Sequence, residues 1–95
     1  MHSIIYWSQE EVRGFFGVLS GPRDRALFPL AYHHGLRASE VSLLLRQDLD
    51  ERRGRLFIHR VKGSLSGVYP LEPADLRRVR AYLRTRDDES PYLFL

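Results

Sequence analysis

The apolar residues of this chain change their period twice. From Val12 to Leu45 they recur at helical spacing. From Gln47 to Leu71 β-forming residues dominate, interrupted by two glycine-containing turns. From Pro73 helical spacing returns. The switch from one period to another and back is the primary secondary-structure signal. It predicts an α+β domain, mainly helical, with a small three-stranded antiparallel sheet. Ninety-five residues suffice for one such domain, so residues 1–95 read as a single unit with a modest core.

Local signals set the expected boundaries. Ser8 and Glu11 form a capping box, with Trp7 and Val12 at the staple positions, for a helix reaching about Leu19. Ser20-Gly21-Pro22 stops it and starts a second helix, Pro22 to His34, closed by Gly35 as a left-handed cap. Pro29 lies inside that helix and is expected to kink or loosen it. A short third helix is expected from Ser39 to Leu45. Strands follow at Gln47–Asp50, Arg55–Lys62 and Val68–Leu71, joined by turns at 51–54 and 63–67. A last helix runs from Pro73 to about Arg84, with Leu76, Val79 and Leu83 inward. Asp87-Asp88-Glu89 reads as an acidic loop, and Pro91 to Leu95 is apolar.

Charge narrows the function classes. Residues 51–86 carry ten Arg or Lys against three acidic residues, a local +7, while the flanking segments sum to −4. A basic middle points to a polyanion, of which nucleic acid is the commonest, and equally to a set of solvated arginines. Fourteen basic residues are arginine, and Lys62 is the single lysine. It is therefore the one basic side chain able to give up a proton near neutral pH. The sequence has no cysteine, which excludes a disulfide framework and a thiolate metal site and makes a cytoplasmic location the expectation. No apolar run approaches the roughly 20 residues that span a bilayer, so no membrane partner is expected.

One stretch carries a family resemblance. Tyr32-His33-His34-Gly35-Leu36-Arg37-Ala38-Ser39-Glu40-Val41 resembles the first conserved box of the tyrosine recombinases, the phage integrase family. The leucines at 44 and 45, the aspartates at 48 and 50, Val61-Lys62-Gly63, Pro70-Leu71 and Ser90-Pro91-Tyr92-Leu93-Phe94 follow in the family's order. The ordered set covers nearly the whole chain.

The resemblance implies duplex DNA as partner, DNA integration or site-specific recombination as activity, origin in a mobile genetic element, and no cofactor. It implies Arg37 as the first phosphate-binding arginine and Lys62 as the lysine that protonates the leaving 5′-hydroxyl. The implied DNA contacts are Arg37, Lys62, Arg60, Ser64, Arg77 and Arg80. The physics suits these roles. A guanidinium grips two phosphoryl oxygens at once and meets the charge of the transition state, whereas an acid catalyst must be able to lose a proton. The family's second box, His-x-x-Arg, and its nucleophilic tyrosine come after the stretch that resembles this chain. These 95 residues by themselves are therefore expected not to cleave DNA. His34-x-x-Arg37 is not that second box, because Arg37 already belongs to the first. The loop Ser64-Leu65-Ser66-Gly67 also lacks the basic residues that family members carry after the lysine.

Plainer readings stand beside these. Arg37 could simply bridge the turn with Glu40, and Lys62 could be a solvated hairpin lysine. His33 and His34 point about 100° apart on a helix and do not readily share a metal. Asp48, Asp50 and Glu51 read as strand and turn carboxylates, so no metal site is expected. The arginines at 77, 78, 80 and 84 suit a phosphate track or a solvated face equally. Two alternative functions remain: a non-catalytic DNA-binding or regulatory remnant, and a protein-interaction domain that keeps only the fold. The apolar run 91–95 is expected to leave a bare patch that a second copy covers as a homodimer, or else to fold back into its own groove.

Overall fold

The computed structural model describes residues 8–61 and 65–95. Helix α1 spans Gln9–Val18. Its capping box forms as read: Glu11 N–H donates to Ser8 Oγ at 3.1 Å, and Ser8 N–H donates to Glu11 Oε1 at 3.0 Å. The staple position Trp7 lies outside the described residues. Only Val12 of α1 is buried, so the helix is held to its neighbour largely through aromatic edges. Phe15 meets Phe28 edge-on at 5.1 Å and Phe16 meets Tyr32 at 6.0 Å.

Helix α2, Pro22–His34, continues through the buried Pro29. Gly35 ends it at φ 60°, a conformation open to glycine because it has no Cβ. Leu36 N–H then donates back to the Ala31 carbonyl at 2.8 Å, which turns the chain sharply toward Arg37.

Helix α3 is shorter than its sequence signal. It spans Ala38–Val41, not Ser39 to Leu45. The cause is a distant partner. Leu93 N–H donates to the Leu44 carbonyl and Arg46 N–H donates to the Pro91 carbonyl, each at 2.8 Å. Backbone groups taken by residues 91–93 cannot also close helical turns. A single 3-10 turn, Arg46–Asp48, then replaces most of the expected first strand, leaving β1 as Leu49–Asp50.

Strands β2, Arg55–Ile58, and β3, Gly67–Pro70, complete an antiparallel sheet in the order β1-β2-β3. Leu56 pairs with Leu49 on one side and Tyr69 on the other. The second strand stops before Lys62 because side chains take over from the ladder. Arg60 N–H donates to Ser66 Oγ at 2.9 Å, and Val61 N–H donates to a glutamate of α3. Helix α4 spans Pro73–Thr85 and packs on α2. Val79 and Tyr82 are buried on it, while Leu76 and Leu83 only lean on the core.

Leu30, Leu44, Leu56, Ile58, Val79 and Leu93 are each 0% exposed and form the centre of the core. Leu93 and Phe94 therefore do not form the bare patch offered as a surface for a second copy. The run folds back instead: Leu45 and Tyr92 form an antiparallel bridge, and Phe94 stacks on Tyr82 at 5.4 Å. Arg86 fastens it, donating to the carbonyls of Tyr92 and Leu93 at 2.9 and 2.7 Å.

Candidate functional site

The left-handed cap at Gly35 and the start of α3 place Arg37 at a corner of the surface. It is the N-cap of α3, its backbone is extended, and its side chain is exposed. Among the described residues its guanidinium has no hydrogen-bond or ion-pair partner. A fork of donors facing solvent is the form in which an arginine can take a phosphate bidentately.

The corner is fixed by Glu40, which is only 3% exposed. Glu40 Oε1 accepts the Arg37 backbone N–H at 2.9 Å. Its other oxygen accepts the Val61 backbone N–H at 3.2 Å. One buried carboxylate thus joins the turn that carries Arg37 to the stretch after β2 that holds Val61. Lys62 and Ser64 themselves lie outside the described residues.

Arg60 faces inward. Its side chain is 12% exposed, its Nη2 donates to the His34 carbonyl at 2.9 Å, and Nη1 lies 3.7 Å from Glu40 Oε1. Its guanidinium carbon sits 5.1 Å from the centre of the Tyr69 ring. The other two sequence candidates are on α4, away from this corner in the chain. Arg77 is exposed and lines a shallow cleft with Arg25 and Arg78 between α2 and α4. Arg80 is engaged with the β1–β2 turn, donating to the Glu51 carbonyl at 2.7 Å and to its carboxylate at 3.3 Å.

Two features escape a reading by local pattern. The spacing of Arg37 and Glu40 is that of a capping pair and signals the first hydrogen bond. Nothing local signals the second, to Val61. The other feature is His33, whose Nδ1–H donates to Asp75 at 2.7 Å between α2 and α4. Asp75 is 0% exposed and also receives Arg78 at 3.2 Å. Glu72 Oε2 lies 3.9 Å from the same imidazole nitrogen, so His33, Glu72 and Asp75 offer three metal-type ligand atoms together. The His33–Asp75 spacing is that of a hydrogen bond, and it satisfies both groups without an ion. The cluster therefore reads as a cross-link between helices. The neighbouring His34 is half-buried beneath Tyr69, and that burial pushes its pKa below the usual imidazole value.

Comparison with known proteins gives a consistent picture. The model of the phage integrase family matches residues 8–95. The tyrosine recombinase XerA of Thermococcus onnurineus is 39% identical over 90 residues, covering 93% of this chain and 32% of that protein. The type 1 fimbriae regulatory protein FimE of Escherichia coli is 42% identical over 67 residues, covering 70% of this chain and 34% of FimE. The crystal structure of XerA recombinase shares the fold with a TM-score of 0.78, at 21% identity, over 100% of this chain and 35% of that one. The chain spans about a third of the length of these two relatives.

Proposed function

Because the chain belongs to the phage integrase family of tyrosine recombinases, we propose that it supplies the phosphate-gripping part of a site-specific DNA recombinase. Its partner in this reading is duplex DNA. Arg37 binds two oxygens of the scissile phosphate and holds the charge that develops on them during strand transfer. Lys62 donates the proton that the leaving 5′-oxygen requires. Ser64 and Arg77 add contacts to the backbone, while Arg80 is already engaged by Glu51. Attack on the phosphorus is assigned to no residue of this chain.

The observation that carries the reading is the Glu40 carboxylate, bonded at once to Arg37 N–H and Val61 N–H. Phosphoryl transfer gains most from positioning and preorganised charge. A buried group that ties the arginine turn to Val61, the neighbour of Lys62 in sequence, supports that kind of site. The exposed Arg37 guanidinium, without a partner among the described residues, supports it as well.

The test is duplex binding by fluorescence anisotropy across a salt series. Affinity resting on phosphate contacts falls steeply between about 50 and 200 mM salt. Arg37→Ala is expected to weaken binding and to reduce the log–log salt slope by about 0.9, the share of one phosphate. Arg13→Ala, a charge change on exposed α1, is expected to do less. Equal effects of the two substitutions would count against the assignment.

A further inference from the structure

We infer that Arg60 is a positioning residue for Arg37 and not a DNA contact, an inference that rests on the phosphate-binding role proposed for Arg37. Its donors point the wrong way for DNA. The side chain is 12% exposed, and the charged end is taken up by the His34 carbonyl, the Glu40 carboxylate and the Tyr69 ring. A phosphate contact needs a guanidinium fork open to solvent, which Arg37 has and Arg60 lacks.

What Arg60 touches is the Arg37 corner, from both sides. His34 lies three residues before Arg37 and ends α2, where carbonyl oxygens lack partners within the helix. Arg60 Nη2 satisfies that carbonyl at 2.9 Å. Glu40 lies three residues after Arg37, and its Oε1 is the oxygen that accepts the Arg37 N–H. Arg60 Nη1 stands 3.7 Å from that same oxygen. One planar guanidinium thus spans residues 34 and 40 and holds the carboxylate in the rotamer that caps Arg37. Its own backbone is anchored in turn by Ser66 Oγ at 2.9 Å.

Stability alone does not account for this arrangement. Desolvation offsets much of the attraction in so enclosed an ion pair. Arg60 Nε is also buried with no hydrogen-bond partner among the described residues. Only a fork reaches both anchors at once, so lysine does not substitute for it.

A double-mutant cycle on duplex binding tests the inference, using the wild type, Arg37→Ala, Arg60→Ala and the double variant of this chain. Binding is measured well below each variant's melting temperature, with circular dichroism to confirm folding. Arg60→Ala is expected to weaken binding several-fold when Arg37 is present and less than about twofold when it is absent, because a residue acting through another shows no effect of its own. Arg60→Lys, the milder variant and the substitute if Arg60→Ala fails to fold, is expected to show the same coupling with Arg37. Equal losses in both backgrounds, or full binding by Arg60→Lys, would mark Arg60 as a direct phosphate contact or a bulk charge and overturn the inference. If Arg37→Ala itself leaves binding unchanged, the phosphate-gripping reading fails and Arg60 has nothing to position. That result is distinct from additive losses, which overturn the role of Arg60 alone.

Discussion

The buried carboxylate of Glu40 accepts the backbone N–H of Val61 at 3.2 Å, across 21 residues of chain. Its other oxygen accepts the N–H of Arg37 at 2.9 Å. Two backbone segments that the sequence keeps apart are therefore held to one side chain, with Arg60 as its counter-charge.

Removing that carboxylate should be severe. Glu40→Ala strands two N–H groups and leaves the Arg60 guanidinium buried without its anion. Loss of one partner from a buried pair costs about 3–5 kcal/mol. Glu40→Gln keeps one acceptor but turns an NH2 toward a backbone donor, and should fall between. Urea denaturation measures both, and a Glu40→Ala variant within about 1 kcal/mol of the wild type would show that the carboxylate does not hold the corner together.

The α2–α4 cross-link should behave differently. Asp75 is fully enclosed and takes hydrogen bonds from His33 and Arg78. Asp75→Ala should lose about 2 kcal/mol, the usual penalty for leaving buried partners unsatisfied. His33→Ala should lose less, since Asp75 keeps Arg78. Thermal melts give the order, and an inverted order would place the main anchor elsewhere.

His34 makes stability depend on pH. Burial lowers its pKa from 6.5, Asp75 opposes the shift, and Arg60 adds to it. The folded state then takes up the proton less readily than the unfolded state. The contribution is present above about pH 6.5 and is lost as pH falls through the lowered folded-state value. The difference in stability between wild type and His34→Gln should therefore shrink or reverse below that pH. Parallel pH profiles for the two proteins would exclude His34 as the source.

Arg86 is the fastening of the 91–95 segment. Its side chain is 3% exposed, it bonds Asp88 through two nitrogens at 2.8 Å, and it donates to the carbonyls of Tyr92 and Leu93. The Arg86 guanidinium holds the Asp88 carboxyl down at about 2. Arg86→Ala should cost about 2 kcal/mol, because the carbonyls of Tyr92 and Leu93 lose their donor. For a domain of this size that corresponds to a melting temperature lower by roughly 8 °C or more. Hydrogen exchange should rise first at the amides of Arg46 and Leu93, which bond across this segment. Unchanged protection there would disconnect Arg86 from the packing of the segment.

Much of the fold was legible because its causes are local. The Ser8–Glu11 box, the glycine at 35, the pairing of β2 with β3 and the span of α4 all follow from residues within a turn or a strand of one another. The same holds for the ordered motifs that mark the family. The features that local pattern missed or left open have distant causes. Helix α3 stops at Val41 because residues 91–93 take the backbone groups of Leu44 and Arg46. Arg60 turns inward because His34, Glu40 and Tyr69 converge on it from three elements. Leu93 and Phe94 are core and not surface because Leu44, Tyr82 and Arg86 meet them there. Propensity, capping and periodicity fix which elements form, since each acts over a few residues. Which donor meets which acceptor across 21 or more residues is settled only when the elements pack, and here that packing decides which arginine faces solvent and which is held inside.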